Sequence, residues 1–279
     1  MAICKLATRR PVRLRAPGAV AEIAVIALLY VGYSVARMIG DADLSAAMAH
    51  AHGLLDLERM FHLDVELWAN QALHSVPALA LASSYWYALL HYVVTPAVLI
   101  WAYRSRRGHY RRVRDALVTG SAIGLMGFTL LPMAPPRMLP GYVDTLASTA
   151  GSGWWGTHAS APEGLGSMTN ELAAMPSLHV GWAMWCAWVV IRLSTNQHLR
   201  LAAVTYAVAT TLVVIATANH YVLDAVAGSA VIMVAIRLTG LSNRRRSAGD
   251  VPAAPKRGPA RGNQVVVSPS STTLSHSAP

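Results

Sequence analysis

Apolar residues in this chain come in long unbroken runs, not in the short alternations that half-bury a strand. Runs at 19–36, 78–103, 116–132, 178–191, 201–218 and 221–236 each approach the roughly 20 residues needed to cross a hydrocarbon core. Within them the charged side chains are Glu22 and Asp224. The pattern predicts an all-α, polytopic membrane helix bundle with about six transmembrane helices.

Between the first two runs, Leu57, Met60, Phe61, Val65 and Trp68 recur at helical spacing. This fits an interfacial amphipathic helix, and equally a connecting helix packed on the bundle. The longest inter-span segment, Met133 to Met175, is rich in Gly, Pro and Ser and carries adjacent Trp154 and Trp155. Loops of that length are functional or disordered, and paired tryptophans favour a lid at headgroup level. From Ser242 onward the Pro-, Ser-, Arg- and Ala-rich tail has no apolar periodicity and reads as disordered. The expected organisation is a basic N-terminus over 1–17, a membrane domain over 18–240 and a cytoplasmic tail over 241–279.

Composition agrees: 54% of residues are hydrophobic and 13% charged, far from soluble averages. The net charge of +10 raises the question of nucleic acid, but its placement answers otherwise. Of the 23 Lys and Arg residues, 20 fall before the first run, in 104–114, in 192–200 and from 237 onward. Arg37, Arg59 and Arg137 stand on the other loops, beside nine acidic residues from Asp41 to Glu171. By the positive-inside rule both termini are expected in the cytoplasm of a multi-pass cell-membrane protein. The basic segments are topology signals, and the expected environment is the lipid bilayer, with no nucleic acid.

Cys4 near the inner terminus and Cys186 inside a run are not placed to staple an outer loop, so no disulfide is expected. The basic N-terminus before an apolar run imitates a secretory signal. No small-residue cleavage site follows the run near Arg37, and the charge count needs this span retained.

Two short stretches carry chemistry. Ala174-Met175-Pro176-Ser177-Leu178-His179 opens the fourth run with a helix start, Pro176 and then Ser177 as a cap. His179 then stands in a first turn, where free amides and the positive dipole end suit an anion. Asn219-His220-Tyr221-Val222-Leu223-Asp224 opens the sixth run from the same side. Asp224 lies one turn beyond His220, within reach of one imidazole nitrogen, leaving the other free to attack. An aspartate in an apolar span is costly unless partnered.

These stretches resemble the type 2 phosphatidic acid phosphatase superfamily, whose second signature reads Pro-Ser-Gly-His and whose third ends His-x-x-x-Asp. Here they correspond to Pro176-Ser177-Leu178-His179 and to His220 through Asp224, and the likeness covers roughly Trp68 to Leu238. Leu178 in place of glycine, with Ala134-Pro135-Pro136-Arg137, is more similar to the inositol phosphorylceramide synthase branch. The resemblance implies that His220 attacks phosphorus to give a phosphohistidine, Asp224 holds its tautomer and His179 protonates the leaving oxygen. It also implies that Ser177 and backbone amides bind phosphate. The first-signature lysine is replaced by Leu130, and Arg137 is followed by Met138 where that signature has proline. The third-signature arginine is replaced by Val214. Phosphoryl transfer rests on positioning and positive charge, which makes Arg137 the expected phosphate clamp. His91, with Tyr87, Tyr92 and Pro96 in the second run, is a candidate lining residue for the substrate cavity and equally a helix-packing histidine.

The expected substrate is a membrane-lipid or polyprenyl-linked phosphate at the extracytoplasmic face. Water as acceptor makes a phosphatase; an alcohol such as inositol or a sugar makes a phosphotransferase. The rival readings are a transporter or channel with a His/Asp relay and a catalytically inactive scaffold. A His/His/Asp set lacks the further ligands that zinc-type sites take, so neither metal nor cofactor is expected.

Overall fold

The structure is a computed structural model and describes residues 18, 20–25, 27, 28, 31, 32, 43–155 and 171–249, with side chains described through 240. Its regular elements are all helical, and an isolated parallel bridge joins Met133 to Ala173. The N-terminal segment over 1–17, Cys4 and residues 250–279 of the tail lie outside the described residues.

Described residues within 20–32 are helical and form α1. Then come α2 (Leu44–Met60), α3 (Glu66–His74) and α4 (Pro77–Tyr85), a π-turn (Trp86–Leu90), α5 (His91–Ser105) and α6 (Arg107–Leu130). The loop after α6 holds a 3-10 turn (Pro136–Met138), the short α7 (Thr145–Ser148) and a second 3-10 turn (Ala150–Ser152). Helices α8 (Leu178–Leu193), α9 (Gln197–Ala216) and α10 (Val222–Gly249) complete the chain.

Among the described residues three helices are long and apolar enough to cross a membrane: Pro77–Ser105, Gln197–Ala216 and the Val222–Gly240 part of α10. Leu178–Leu193 is apolar but shorter. The run at 116–132 belongs to α6, which starts at Arg107 and takes in His109, Arg111, Arg112, Arg114 and Asp115 before Ala116, so apolarity does not define its length. The backbone carries α10 to Gly249, past the boundary expected at 240.

α8 packs on α9 and α10, α10 packs on α6, and α5 packs on α6 and α8. Glycines set the closeness of these crossings, because a backbone without Cβ admits a neighbour's side chain or backbone. On α6, Cβ atoms at Gly120, Gly124 and Gly127 would stand 2.7 Å from Ile232 Cδ1, 2.5 Å from Leu178 Cδ2 and 2.8 Å from Pro176 Cδ. A Cβ on Gly228 would collide with the carbonyl oxygen of Ser177. The start of α8 is thereby pressed between α6 and α10.

The two ends of the bundle differ. At one, Arg106 Nε donates to Leu193 O at 3.0 Å, and Arg112 lies beside Gly240. Nearby, buried Glu22 of α1 accepts from Arg114 Nη1 at 2.6 Å and from the Tyr110 hydroxyl at 2.7 Å. At the other end the start of α8, the end of α9 and the start of α10 meet beneath α2, α3 and the 133–155 loop.

α2 and α3 are separate helices broken at Phe61–Val65, where the expectation was one. The apolar positions that suggested it, Leu57, Met60, Phe61, Val65 and Trp68, all point outward. Two acids between them, Glu58 and Glu66, point inward and are fully buried. The long loop is folded over its described residues. Trp155 is buried against Ala88 and Leu146 and donates to Leu146 O at 3.0 Å, whereas Trp154 is exposed. The paired tryptophans thus divide between core and surface. Cys186 is a buried free thiol.

Candidate active site

α9 ends where Ala218 takes φ of 55°, the left-handed conformation that usually calls for glycine. This turn lets the amides of Asn219 and His220 both reach back to Val214 O, at 3.2 and 3.1 Å. His220 therefore enters α10 with its backbone fixed. Its ring is 3% exposed, and Nδ1 lies 2.7 Å from Ala174 O. A carbonyl only accepts, so Nδ1 carries a proton, and in the neutral ring the lone pair is the one on Nε2.

Asp224 lies 3.6 Å from that Nδ1, at ion-pair distance, while the hydrogen bond itself goes to Ala174. The expected Asp224-to-imidazole hydrogen bond is thus taken by a backbone carbonyl. Asp224 Oδ2 instead accepts from Tyr221 N at 2.9 Å, and the fully buried carboxylate faces a ring whose positive charge it would compensate.

His179 stands in the first turn of α8, stacked on Tyr87 at 4.3 Å and edge-on to His91 at 4.4 Å. Its ring centre is 5.9 Å from that of His220, and its buried Nε2 has no hydrogen-bond partner among the described residues. The π-turn directly precedes His91, whose Nδ1 takes Tyr87 O at 3.0 Å. Such widened turns recur at functional sites. His91 is packed against the site histidine, which sequence spacing alone left open.

Ser177 caps α8, its Oγ accepting from Val180 N at 3.4 Å, and it is fully buried. Its N–H donates to Asp224 O at 3.0 Å, joining the two motifs through the backbone. Ser177 thus serves as the α8 cap through the acceptor side of its hydroxyl, a contact that does not use the hydroxyl proton.

Arg137 is brought to the same place. Its N–H donates to Ala218 O at 2.8 Å, Nη1 donates to Asn219 Oδ1 at 2.7 Å, and Nε pairs with Asp144 Oδ2 at 3.2 Å. Asp144 also caps α7 through Ala147 N at 3.0 Å. Contacts through both Nε and Nη1 fix the plane and direction of the guanidinium.

Asn219, Asp144 and the Ala174 carbonyl went unassigned in the sequence. Asn219 stands directly before His220, a position that could have marked it; a backbone carbonyl carries no residue signature. Among the described residues no group of three or more His, Cys, Asp or Glu side chains could hold a metal ion.

Fold and site together define a helical membrane protein with two histidines, an aspartate and an arginine gathered at one end of the bundle. The sequence profile of the PAP2 superfamily matches residues 52–238, and the chain belongs to that superfamily. Membership carries a phosphatase-type function on lipid phosphate in general. No curated protein and no solved structure gives a match.

Proposed function

We propose that this chain is an integral membrane phosphatase or phosphotransferase that acts on a lipid-linked phosphate through a phosphohistidine at His220. The observation that carries the reading is the 2.7 Å contact of His220 Nδ1 with Ala174 O, 46 residues earlier in the chain, which selects the neutral tautomer whose lone pair is on Nε2. In this reading Nε2 attacks phosphorus, the P–N bond forms, and the P–O bond breaks with its electron pair on the leaving oxygen. His179 delivers a proton to that oxygen. The ring of His220 becomes cationic, and Asp224 at 3.6 Å stabilises it. Arg137 neutralises charge on the non-bridging oxygens. The acceptor oxygen then attacks phosphorus, with His179 taking its proton, and the P–N bond breaks with its electron pair returning to His220 Nε2.

Water as acceptor gives a phosphatase. The Pro176-Ser177-Leu178-His179 and Ala134-Pro135-Pro136-Arg137 stretches support an alcohol acceptor, as in the inositol phosphorylceramide synthase branch. The basic end of the bundle faces the cytoplasm and the site end the extracytoplasmic side, because 20 of 23 basic residues lie on the segments assigned to the former.

The test uses an alkyl phosphate and an aryl phosphate whose phenol needs little protonation. His179→Ala should recover part of its lost rate on the aryl substrate, whereas His220→Ala should not, and should fail to trap labelled phosphate as an acid-labile, base-stable adduct. Asp224→Asn should fall between them. Undiminished labelling of His220→Ala would move the nucleophile elsewhere.

A further inference from the structure

The first turn of a helix leaves its amides without intrahelical acceptors. In α10 three consecutive amides are each taken by a different carboxylate: Tyr221 N by Asp224 at 2.9 Å, Val222 N by Glu66 at 2.8 Å, and Leu223 N by Glu58 at 2.6 Å. Glu58 and Glu66 come from α2 and α3, more than 150 residues away, and both are fully buried. Each uses Oε1 for its amide, and the Oε2 atoms find no donor among the described residues. Val222 N and Leu223 N are adjacent amides, so the two carboxyls they hold are side by side. Two full charges buried side by side cost heavily, and one proton on an unpartnered Oε2 removes one of them.

We infer that Glu58 and Glu66 form a carboxyl pair sharing a single proton, and that this pair positions His220 by clamping the first turn of α10. The inference rests on reading His220 as the reacting residue. Glu58 and Glu66 touch neither imidazole; they act through the backbone that begins two residues after His220. A neutral partner lets both acids sit beside the buried Asp224 without three full charges in one place, while the positive end of the helix dipole favours the charge that remains.

The groups that act on the pair are Asp224 and Tyr221 at the start of α10 and Tyr142 of the loop, with Arg59 of α2 and Asp64 of the α2–α3 turn acting in turn on Tyr142. Burial first, and then Glu66 and Asp224, push the Glu58 carboxyl up to about 8, against the lowering pull of Leu223 N–H. Burial pushes both tyrosines up as well, so neither ionises near neutrality. A raised carboxyl holds its proton below that value and loses it to solvent as pH rises through it. Two adjacent carboxylates then repel, and the clamp opens at alkaline pH.

The test is hydrogen exchange of the 219–225 segment in the full-length protein in detergent, read as protection relative to intrinsic rates, alongside kcat and KM on an aryl phosphate. In the parent, protection of the 221–223 amides should fall by at least about tenfold from about pH 6 to about pH 10, and kcat should fall with it while KM holds. Glu58→Gln keeps an acceptor for Leu223 N and supplies N–H donors in place of the proton, so protection and the alkaline limb of kcat should both extend upward. Glu66→Gln should do the same, and serves if the first variant is not recovered. Glu58→Ala should lose protection at every pH. Parent protection that is flat across this range, or Gln variants with the parent's alkaline loss, would overturn the inference. Exchange that behaves as expected in a parent without turnover would leave the pair standing and count against the reading of His220.

Discussion

Leu178 lies against Gly124 so closely that a Cβ on the glycine would stand 2.5 Å from Leu178 Cδ2. The leucine occupies the place where the PAP2 signature resembled by this stretch has glycine, and α6 makes room for it with a glycine of its own. The contact sets how deeply the start of α8 sinks against α6, and therefore where His179, the next residue, is held.

Gly124→Ala should therefore push α8 outward, at a cost of about 1–3 kcal/mol for overpacking, and lower kcat more than KM. Leu178→Ala or Leu178→Gly in the same chain should restore most of both. Thermal unfolding in detergent and aryl phosphate turnover of the four proteins complete a double-mutant cycle, and strictly additive losses would show that the two residues are not coupled.

Arg137→Ala should lower kcat/KM by about 10²–10³-fold, the scale of removing one preorganised donor from a transition state. Arg137→Lys should recover only part, since an ammonium is a single point charge and cannot hold both Asp144 and Asn219 while offering a planar fork to phosphate. Asn219→Ala leaves the charge in place and frees Nη1, so its loss should be smaller than that of Arg137→Ala. Parent-like kinetics for Arg137→Ala would place the clamp elsewhere.

Ala218 holds a left-handed conformation with a Cβ, which costs roughly 1 kcal/mol relative to glycine. Ala218→Gly should raise thermal stability by about that amount, because the turn it closes is retained. A lowered melting temperature would show that the buried methyl contributes more through packing than the backbone loses through strain.

The exposed Ser152 lies on the 133–155 loop at the site end, its carbonyl accepting from Tyr85 OH at 2.6 Å. With Cys186 buried, a cysteine introduced at 152 should react with a membrane-impermeant thiol reagent on intact cells. Reaction only after the membrane is breached would reverse the assigned orientation.

The residues legible in the sequence are those whose signal is local. A cap followed by an apolar run marks Ser177 and His179; a charge inside an apolar run marks Asp224 and, one turn earlier, His220. Arg137 could be singled out because the motifs lack another loop cation. Glu58 and Glu66 were illegible because their partners are distant in sequence, and because the helical spacing of the apolar positions around them does not say which way that stripe faces. On α2 and α3 the apolar residues face out and the acids face in, an inversion suited to elements that sit at the end of a bundle. The Ala174 carbonyl that fixes the tautomer of His220 was hidden for another reason, since any residue there would supply the same oxygen.

The contact between Glu22 and Arg114 bears on how the protein is made. α6 carries Arg114 already paired with its neighbour Asp115 at 2.6 Å, so that helix brings its own charge compensation with it. α1 emerges from the ribosome first, with the Glu22 carboxylate. Arg114 bonds Glu22 as well as Asp115, and the Tyr110 hydroxyl gives Glu22 a second donor. Both of those donors lie more than eighty residues downstream, so Glu22 meets them only once the start of α6 has been made.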